Sequence, residues 1–313
     1  MLAELHLHLE GSIEPETLLE INPSLSLPEV EENFQFSDFA GFLRSYVWVN
    51  RQLREPEHYA IAARRCFRKL ADQGVVYAEI TISIGVVLWK EQNVHGIIDA
   101  LTREAAEAPL QIRWVFDAIR QFGAEPAMRV AEIAVERKNE GVVAFGIGGD
   151  EVNGPAEWFR DVFTFTTRNG LALVPHAGEV DGPASVWACV ELGACRIGHG
   201  IRAAEDPELM RRLRDDDIPL EVCITSNVCT GAVPSIEAHP VRRLYDAGVP
   251  VIINTDDPAL FRTSLLAEYA IARDRFGIPE AEIKAAGLRY ALEYRPTSFS
   301  SASSSLPASD HRP

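Results

Sequence analysis

The sequence has no apolar run long enough to cross a bilayer, and no basic, apolar leader stands before its first strand-like stretch. Those absences predict a cytoplasmic protein without a membrane partner. It has no C-x-x-C pair either. Its five cysteines, at 66, 189, 195, 223 and 229, are an odd number and fit buried thiols in a reducing compartment better than a disulfide framework. Positive charge is in short supply: 30 Lys and Arg against 46 Asp and Glu give a formal net charge of -16. That balance argues against nucleic acid as a partner. A dinucleotide loop is missing too. The glycines of AFGIGGDE are too few and wrongly spaced, and read as backbone brought close to a ligand or as a tight turn.

What the chain does have is bulk, with 313 residues of which 47% are hydrophobic, enough for a sizeable core. Apolar, β-branched runs predict strands near residues 2–8, 75–83, 111–118, 142–148, 171–176, 195–199, 219–225 and 250–256. Amphipathic stretches lie between them. EHYAIAARRCFRKLADQG stops on Gly74, PAMRVAEIAVERKNEG on Gly141 and HPVRRLYDAG on Gly248. Eight strands alternating with helices over roughly 250 residues predict an α/β fold of the parallel (β/α)8 TIM-barrel type. An open doubly wound sheet alternates in the same way, but here catalytic residue types sit at the ends of several different strands, which favours the barrel.

Residues 13–74 form a long segment after the first strand. Within it FSDFAGFLRSYVWVN carries aromatics at helical spacing, as a helix packed on the barrel or as an apolar lid over its mouth. No second domain is evident. The barrel is expected over 1–294, and the Ser- and Pro-rich stretch 295–313, which contains His311, is expected to be disordered.

The stretch AELHLHLEGS places Glu4, His6, His8 and Glu10 on one face of a strand and Leu5, Leu7 and Leu9 on the other. Either the histidines face water, or the strand is buried on both sides and its polar face looks into an enclosed site. His176 in PHAGE and His199 in RIGHG also stand at strand ends, and NTDDP brings Asp256 and Asp257 to the end of the last strand. Alone, each such histidine is more often structural than a ligand. Together with a carboxylate they suit zinc or a similar divalent ion, with Glu4 as a partner behind a ligand. Glu179 is a candidate proton donor in a closed apolar site, although its position alone fits a first-turn acid favoured by a helix dipole better. Asp256 and Asp257 read as a turn pair before Pro258, or as one metal ligand and one hydrogen-bonding group. From the residues alone, the chain is a metal-dependent hydrolase on a barrel.

HLHLEGS, GGDE, HAGE, RIGHG, SNVCTGAV followed by HP, and NTDDP also stand in the order seen in the adenosine deaminase family, which the chain resembles over about residues 1–290. The resemblance implies that His6, His8, His176 and Asp256 bind one zinc ion, which brings a water towards ionisation at neutral pH. It implies that Glu179 protonates N1 of a 6-aminopurine and that His199 orients the water, takes its proton or stabilises its charge. Asp257 would bond the purine at N7, and the Gly149 backbone would meet N3. A purine nucleoside is then the small-molecule partner, with the 6-oxopurine and ammonia as products. The H-x-E and P-C-x-x-C signature of deaminases acting on cytosine or on nucleic acid is absent.

Glu10 stands where adenosine-specific members usually have an aspartate that reaches the ribose 5′-hydroxyl. AEITISIGVVLW looks most like members that deaminate 6-amino-6-deoxyfutalosine, an intermediate of an alternative menaquinone pathway. Adenosine itself and free adenine are the other substrates the resemblance allows. A different barrel amidohydrolase is the enzymatic rival, although no predicted strand end carries a lysine to bridge two metals. A catalytically dead nucleoside binder is the rival from another class. The family usually closes with a further helix where this chain has its Ser-rich tail.

Overall fold

The computed structural model describes residues 1–295, so the expected disorder of the Ser-rich tail concerns residues outside those described, Arg295 apart. The described residues form nine strand segments, with helices between all but the fifth and sixth: β1 Leu2–His8, β2 Val75–Ile82, β3 Gln111–Ile119, β4 Val142–Gly148, β5 Ala172–Leu173, β6 His176–Ala177, β7 Ile197–His199, β8 Leu220–Val222 and β9 Val251–Ile253. They pair in parallel as β1-β2-β3-β4-β5 and β6-β7-β8-β9. β5 and β6 are two halves of one stave, separated by Val174 and Pro175, because proline has no N–H to give the ladder. Val174 N still donates to Phe145 O at 3.0 Å, and Pro175 O accepts from Gly198 N at 2.9 Å.

The ring closes where Leu7 bridges Asp256 in parallel register. His8 N donates to Asp256 O, and Asp256 N donates to His6 O, both at 2.9 Å. The fold is the expected eight-stave (β/α)8 barrel, and its seam runs through three of the residues singled out above.

Parallel staves need crossovers, and helices supply them. Pro56–Asp72 turns Tyr59, Ala63, Phe67 and Leu70 into the core and ends before Gly74, at φ +82°. The helix expected to run to Gly141 stops earlier, as Ala124–Glu136, with a short 3-10 turn at Lys138–Glu140 before the left-handed glycine. Residues 13–74 hold four helices: Pro15–Ile21, Leu27–Asn33, Phe39–Gln52 and Pro56–Asp72. Asp38 caps the third by accepting from Gly41 N at 2.7 Å, and Phe42 stacks on Phe261 with centroids 4.9 Å apart. This helix covers the barrel mouth.

Strict alternation along β1 does not hold. Its pairing with β2 slips between Glu4 and Leu7. Leu7 and Leu9 join the main core beneath the helices, whereas Leu5 packs with Ala3, Tyr77 and Ile252 near the N-terminal ends of the strands. That end is covered by the chain after Glu280–Arg289: Leu292 N donates to Glu79 Oε1 at 2.7 Å and Arg196 Nη1 to Tyr290 O at 2.8 Å. Among the described residues, these bonds close that end of the barrel.

Candidate active site

Six side chains from strand ends meet at the mouth. His6 and His8 end β1, His176 opens β6, His199 ends β7, and Asp256 and Asp257 follow β9. The His6 ring lies 4.7 Å from His176, 5.0 Å from His199 and 5.4 Å from His8, centroid to centroid. His8 Nε2 is 3.1 Å from His176 Nε2, and Asp256 Oδ1 is 3.4 Å from His8 Nε2 and 3.5 Å from His6 Nε2. One donor atom each from His6, His176, His199 and Asp256 falls within 4.8 Å of the others. The backbone is strained to achieve this. His199 and Asp256 adopt φ of +59° and +66°, a region non-glycine residues rarely enter.

The cluster suits a cation. His6 Nδ1 is 2.7 Å from Glu221 Oε2, which leaves Nε2 directed at the centre, buried and without a hydrogen-bond partner. Burial pulls His8 down to about 4 and His176 well below the usual imidazole value, so both rings are neutral with lone pairs to offer. Burial opposes ionisation of Asp256, but the His6 contact and the surrounding histidines outweigh it and hold that carboxyl well below its ordinary range. For His6, Asp256 and Glu221 overcome the effect of burial and raise it to about 10. Carboxylates that hold a proton there would equally hold a metal ion. Three imidazoles and one carboxylate are a donor set typical of zinc.

The cluster forms the floor of a cavity of about 420 Å³, walled by Phe39, Phe42, Tyr46 and Val47 of the covering helix and by Trp89 and Phe122. Glu179 and Asp257 face it. Glu179 Oε2 lies 3.7 Å from His199 Nε2, and the next helix, Pro183–Glu191, begins four residues later, so Glu179 is not a first-turn acid. Burial, first of all, raises its carboxyl above the normal value. Burial and then the neighbouring Asp256 raise Asp257 well above its own, and Asp257 Oδ1 has no partner. Gly11 makes room for it, since a Cβ at Gly11 would lie 1.7 Å from Asp257 Oδ1. Gly149 lines the cavity at φ +96°, where any Cβ would strike the Gln121 amide.

Two residues sit elsewhere than the sequence suggested. Glu10 is buried behind the cavity wall: Oε1 accepts from Ser83 N at 3.1 Å, Oε2 has no partner, and burial pushes the carboxyl up to about 7. Glu4 does not support a histidine ring; it accepts from Thr255 Oγ1 at 2.9 Å and fastens the seam. The carboxylate behind His6 is Glu221, which sequence reasoning passed over together with Arg196. Arg196 Nε bonds Glu221 Oε1 at 2.5 Å, and its Nη2 pairs with Glu79, all three groups being buried. The signal was a charged residue inside each of two otherwise apolar strand segments, LEVCIT and CRIGH.

Known proteins are similar to this chain in sequence and in fold. A family model described as adenosine deaminase matches residues 2–293. An aminodeoxyfutalosine deaminase of Streptomyces avermitilis is 40% identical over 284 residues, covering 86% of this chain and 79% of that protein. An adenine deaminase of Rhizobium meliloti is 34% identical over 290 residues, 90% of each chain. Among solved structures, an adenine deaminase from Arthrobacter aurescens superposes with a TM-score of 0.87 at 24% identity, over 94% of both chains.

Proposed function

The chain belongs to the adenosine deaminase family, and from that premise we propose that it hydrolyses the 6-amino group from a purine nucleoside, with one zinc ion held by His6, His8, His176 and Asp256. The observation that carries this is the pair of carboxyls, part-buried Glu179 and buried Asp257, raised towards their protonated forms on one cavity beside ionised Asp256. A protonated carboxyl is an O–H donor, and a 6-aminopurine presents acceptor nitrogens at N1 and N7 on either side of C6. Glu179 gives its proton to N1, which makes C6 electron-poor. Asp257 bonds N7, and the Gly149 backbone lies against N3. Zinc, when bound, supplies Lewis acidity and lowers the pKa of water towards neutrality. The oxygen of water bonds to C6 as its two O–H bonds break. One proton goes to the departing amino group, which leaves as ammonia when the C6–N bond breaks, and the other returns to Glu179, leaving the 6-oxopurine protonated at N1.

The covering helix and its aromatic neighbours give a flat ring apolar cover. For the substrate we favour a 5′-modified adenosine such as 6-amino-6-deoxyfutalosine, which would place the activity in the cytoplasm on a route to menaquinone. Support comes from the 40% identity to the Streptomyces enzyme. Free adenine is the second candidate, favoured by the Rhizobium relative.

The test is Glu179→Gln. The variant should keep its zinc and its affinity for substrate and lose about 10²- to 10⁴-fold in kcat. Turnover within a few-fold of the unmodified protein would remove Glu179 from the chemistry and this function with it.

A further inference from the structure

The motif SNVCTGAV followed by HP has no part in the chemistry above, yet it places Asn227 and His239 in line behind His199. His199, Asn227 and His239 are 1%, 0% and 4% exposed, so each polar atom must find its partner within the protein. The direction of every bond follows from one end. The backbone N–H of Val241 donates to His239 Nδ1 at 3.1 Å. An amide N–H only donates, so Nδ1 presents a lone pair and the proton of the neutral ring is on Nε2. Burial lowers this histidine to about 3, which keeps it neutral. His239 Nε2 lies 3.1 Å from Asn227 Oδ1 and donates to it. The amide orientation is thereby fixed, because a flipped Asn227 would set N–H against N–H. Its Nδ2 then faces His199 Nδ1 at 3.1 Å and can only donate. His199 Nδ1 is left as an acceptor.

We infer that the chain of bonds from Val241 through His239 and Asn227 holds His199 Nδ1 as an acceptor and its proton on Nε2, aimed into the cavity as a hydrogen-bond donor. Nε2 is the atom 3.7 Å from Glu179 Oε2 and 4.0 Å from Asp256 Oδ2. The mechanistic consequence rests on the deamination proposed above; the tautomer does not. A general base would need a lone pair at Nε2. Here that position carries a proton, and Asn227 cannot reverse its role because its oxygen is committed to His239. Of the parts open to His199, the relay selects one: it donates to the oxygen being added at C6 and stabilises the charge that gathers there, in the manner of an oxyanion donor. Asn227 and His239 are positioning residues, acting through His199.

Long-range ¹H–¹⁵N correlation of the zinc-loaded protein labelled with ¹⁵N-histidine reads the tautomer directly, with His199 assigned by the signals lost in His199→Gln. The expected pattern is a protonated Nε2 and a bare Nδ1 for both His199 and His239 at neutral pH. A proton on His199 Nδ1, alone or together with Nε2, overturns the inference. Asn227→Asp supplies a second reading, since a carboxylate only accepts and must draw the His199 proton to Nδ1. That variant should show the reversed tautomer, retain zinc, change KM by less than about threefold and lose kcat on the order of 100-fold. Unchanged kcat with the tautomer reversed overturns the donor role. If Asn227→Asp does not fold, the spectrum of the unmodified protein still decides. Full turnover by His199→Gln would sink the deamination mechanism instead and leave the tautomer standing.

Discussion

His6 Nδ1 lies 2.7 Å from Glu221 Oε2, and Arg196 holds the other oxygen of that carboxylate. The relationship fixes which face of the His6 ring meets the site, and it ties the mouth of the barrel to a buried ionic network reaching Glu79. Glu221→Gln keeps the shape and removes the charge. Zinc affinity should fall about 10- to 100-fold, as read by competition with a chelator of known strength. An unchanged affinity would detach Glu221 from the metal centre.

Glu151, from the GGDE motif, grips the loop that carries Glu179. One oxygen accepts from Ser185 Oγ at 2.5 Å and from Gly178 N; the other takes the backbone N–H groups of Glu179, Val180 and Asp181 at 3.2, 2.9 and 3.0 Å. Burial opposes ionisation of Glu151, but these bonds hold its carboxyl below the usual range. Glu151→Gln replaces one acceptor with a donor facing those amides. The loop should loosen and kcat should fall about 10- to 100-fold with zinc retained. In a Glu179→Gln background the same change should cost almost nothing further, since the two act as a unit. An equal loss in both backgrounds would make Glu151 a general stabiliser.

Gly11→Ala should damage both packing and activity. Its Cβ would sit 1.7 Å from Asp257 Oδ1, against a buried floor with little room to yield. A loss of about 1–3 kcal/mol in urea unfolding is expected, with a fall in kcat/KM as Asp257 is displaced. Gly182→Ala is the control. At φ -74° and with nothing within 4 Å of the added carbon, it should stay within about 0.5 kcal/mol.

Asp117 lines the cavity with Oδ1 unpartnered, and burial, aided by the nearby Glu10, raises its carboxyl from 3.8 to about 8. The folded chain therefore keeps a proton that the unfolded chain releases. Between roughly pH 4 and pH 8 unfolding sheds that proton, so this group subtracts more stability as pH rises. Asp117→Asn should gain on the unmodified protein across that window, by up to about 5 kcal/mol at its upper end. Parallel stability curves would show that Asp117 is ionised in the fold at low cost.

The first four strands were legible to within a residue, because their runs are long and none contains a proline. The later ones were not. Strand-like runs near 171–176, 219–225 and 250–256 shrink to segments of two or three residues, with Pro175, Pro219 and Pro250 inside or beside them and unable to donate to the ladder. The histidines and paired aspartates were legible because parallel staves bring every strand's C-terminal end to one mouth. Leu5 was misplaced because the slip between Glu4 and Leu7 turns its side chain to the other face, and periodicity cannot show a slip. Glu221 escaped notice for a different reason. Its partner His6 is 215 residues away, and only the closed barrel makes them neighbours.

The most direct test of the account is ammonia release by the zinc-loaded protein, with 6-amino-6-deoxyfutalosine, adenosine and adenine compared at matched concentrations. The account predicts deamination, with kcat/KM for the 5′-modified nucleoside at least about tenfold above the other two, a margin of about 1.4 kcal/mol in transition-state binding. No ammonia from any of the three, with zinc bound and the fold intact, would contradict it.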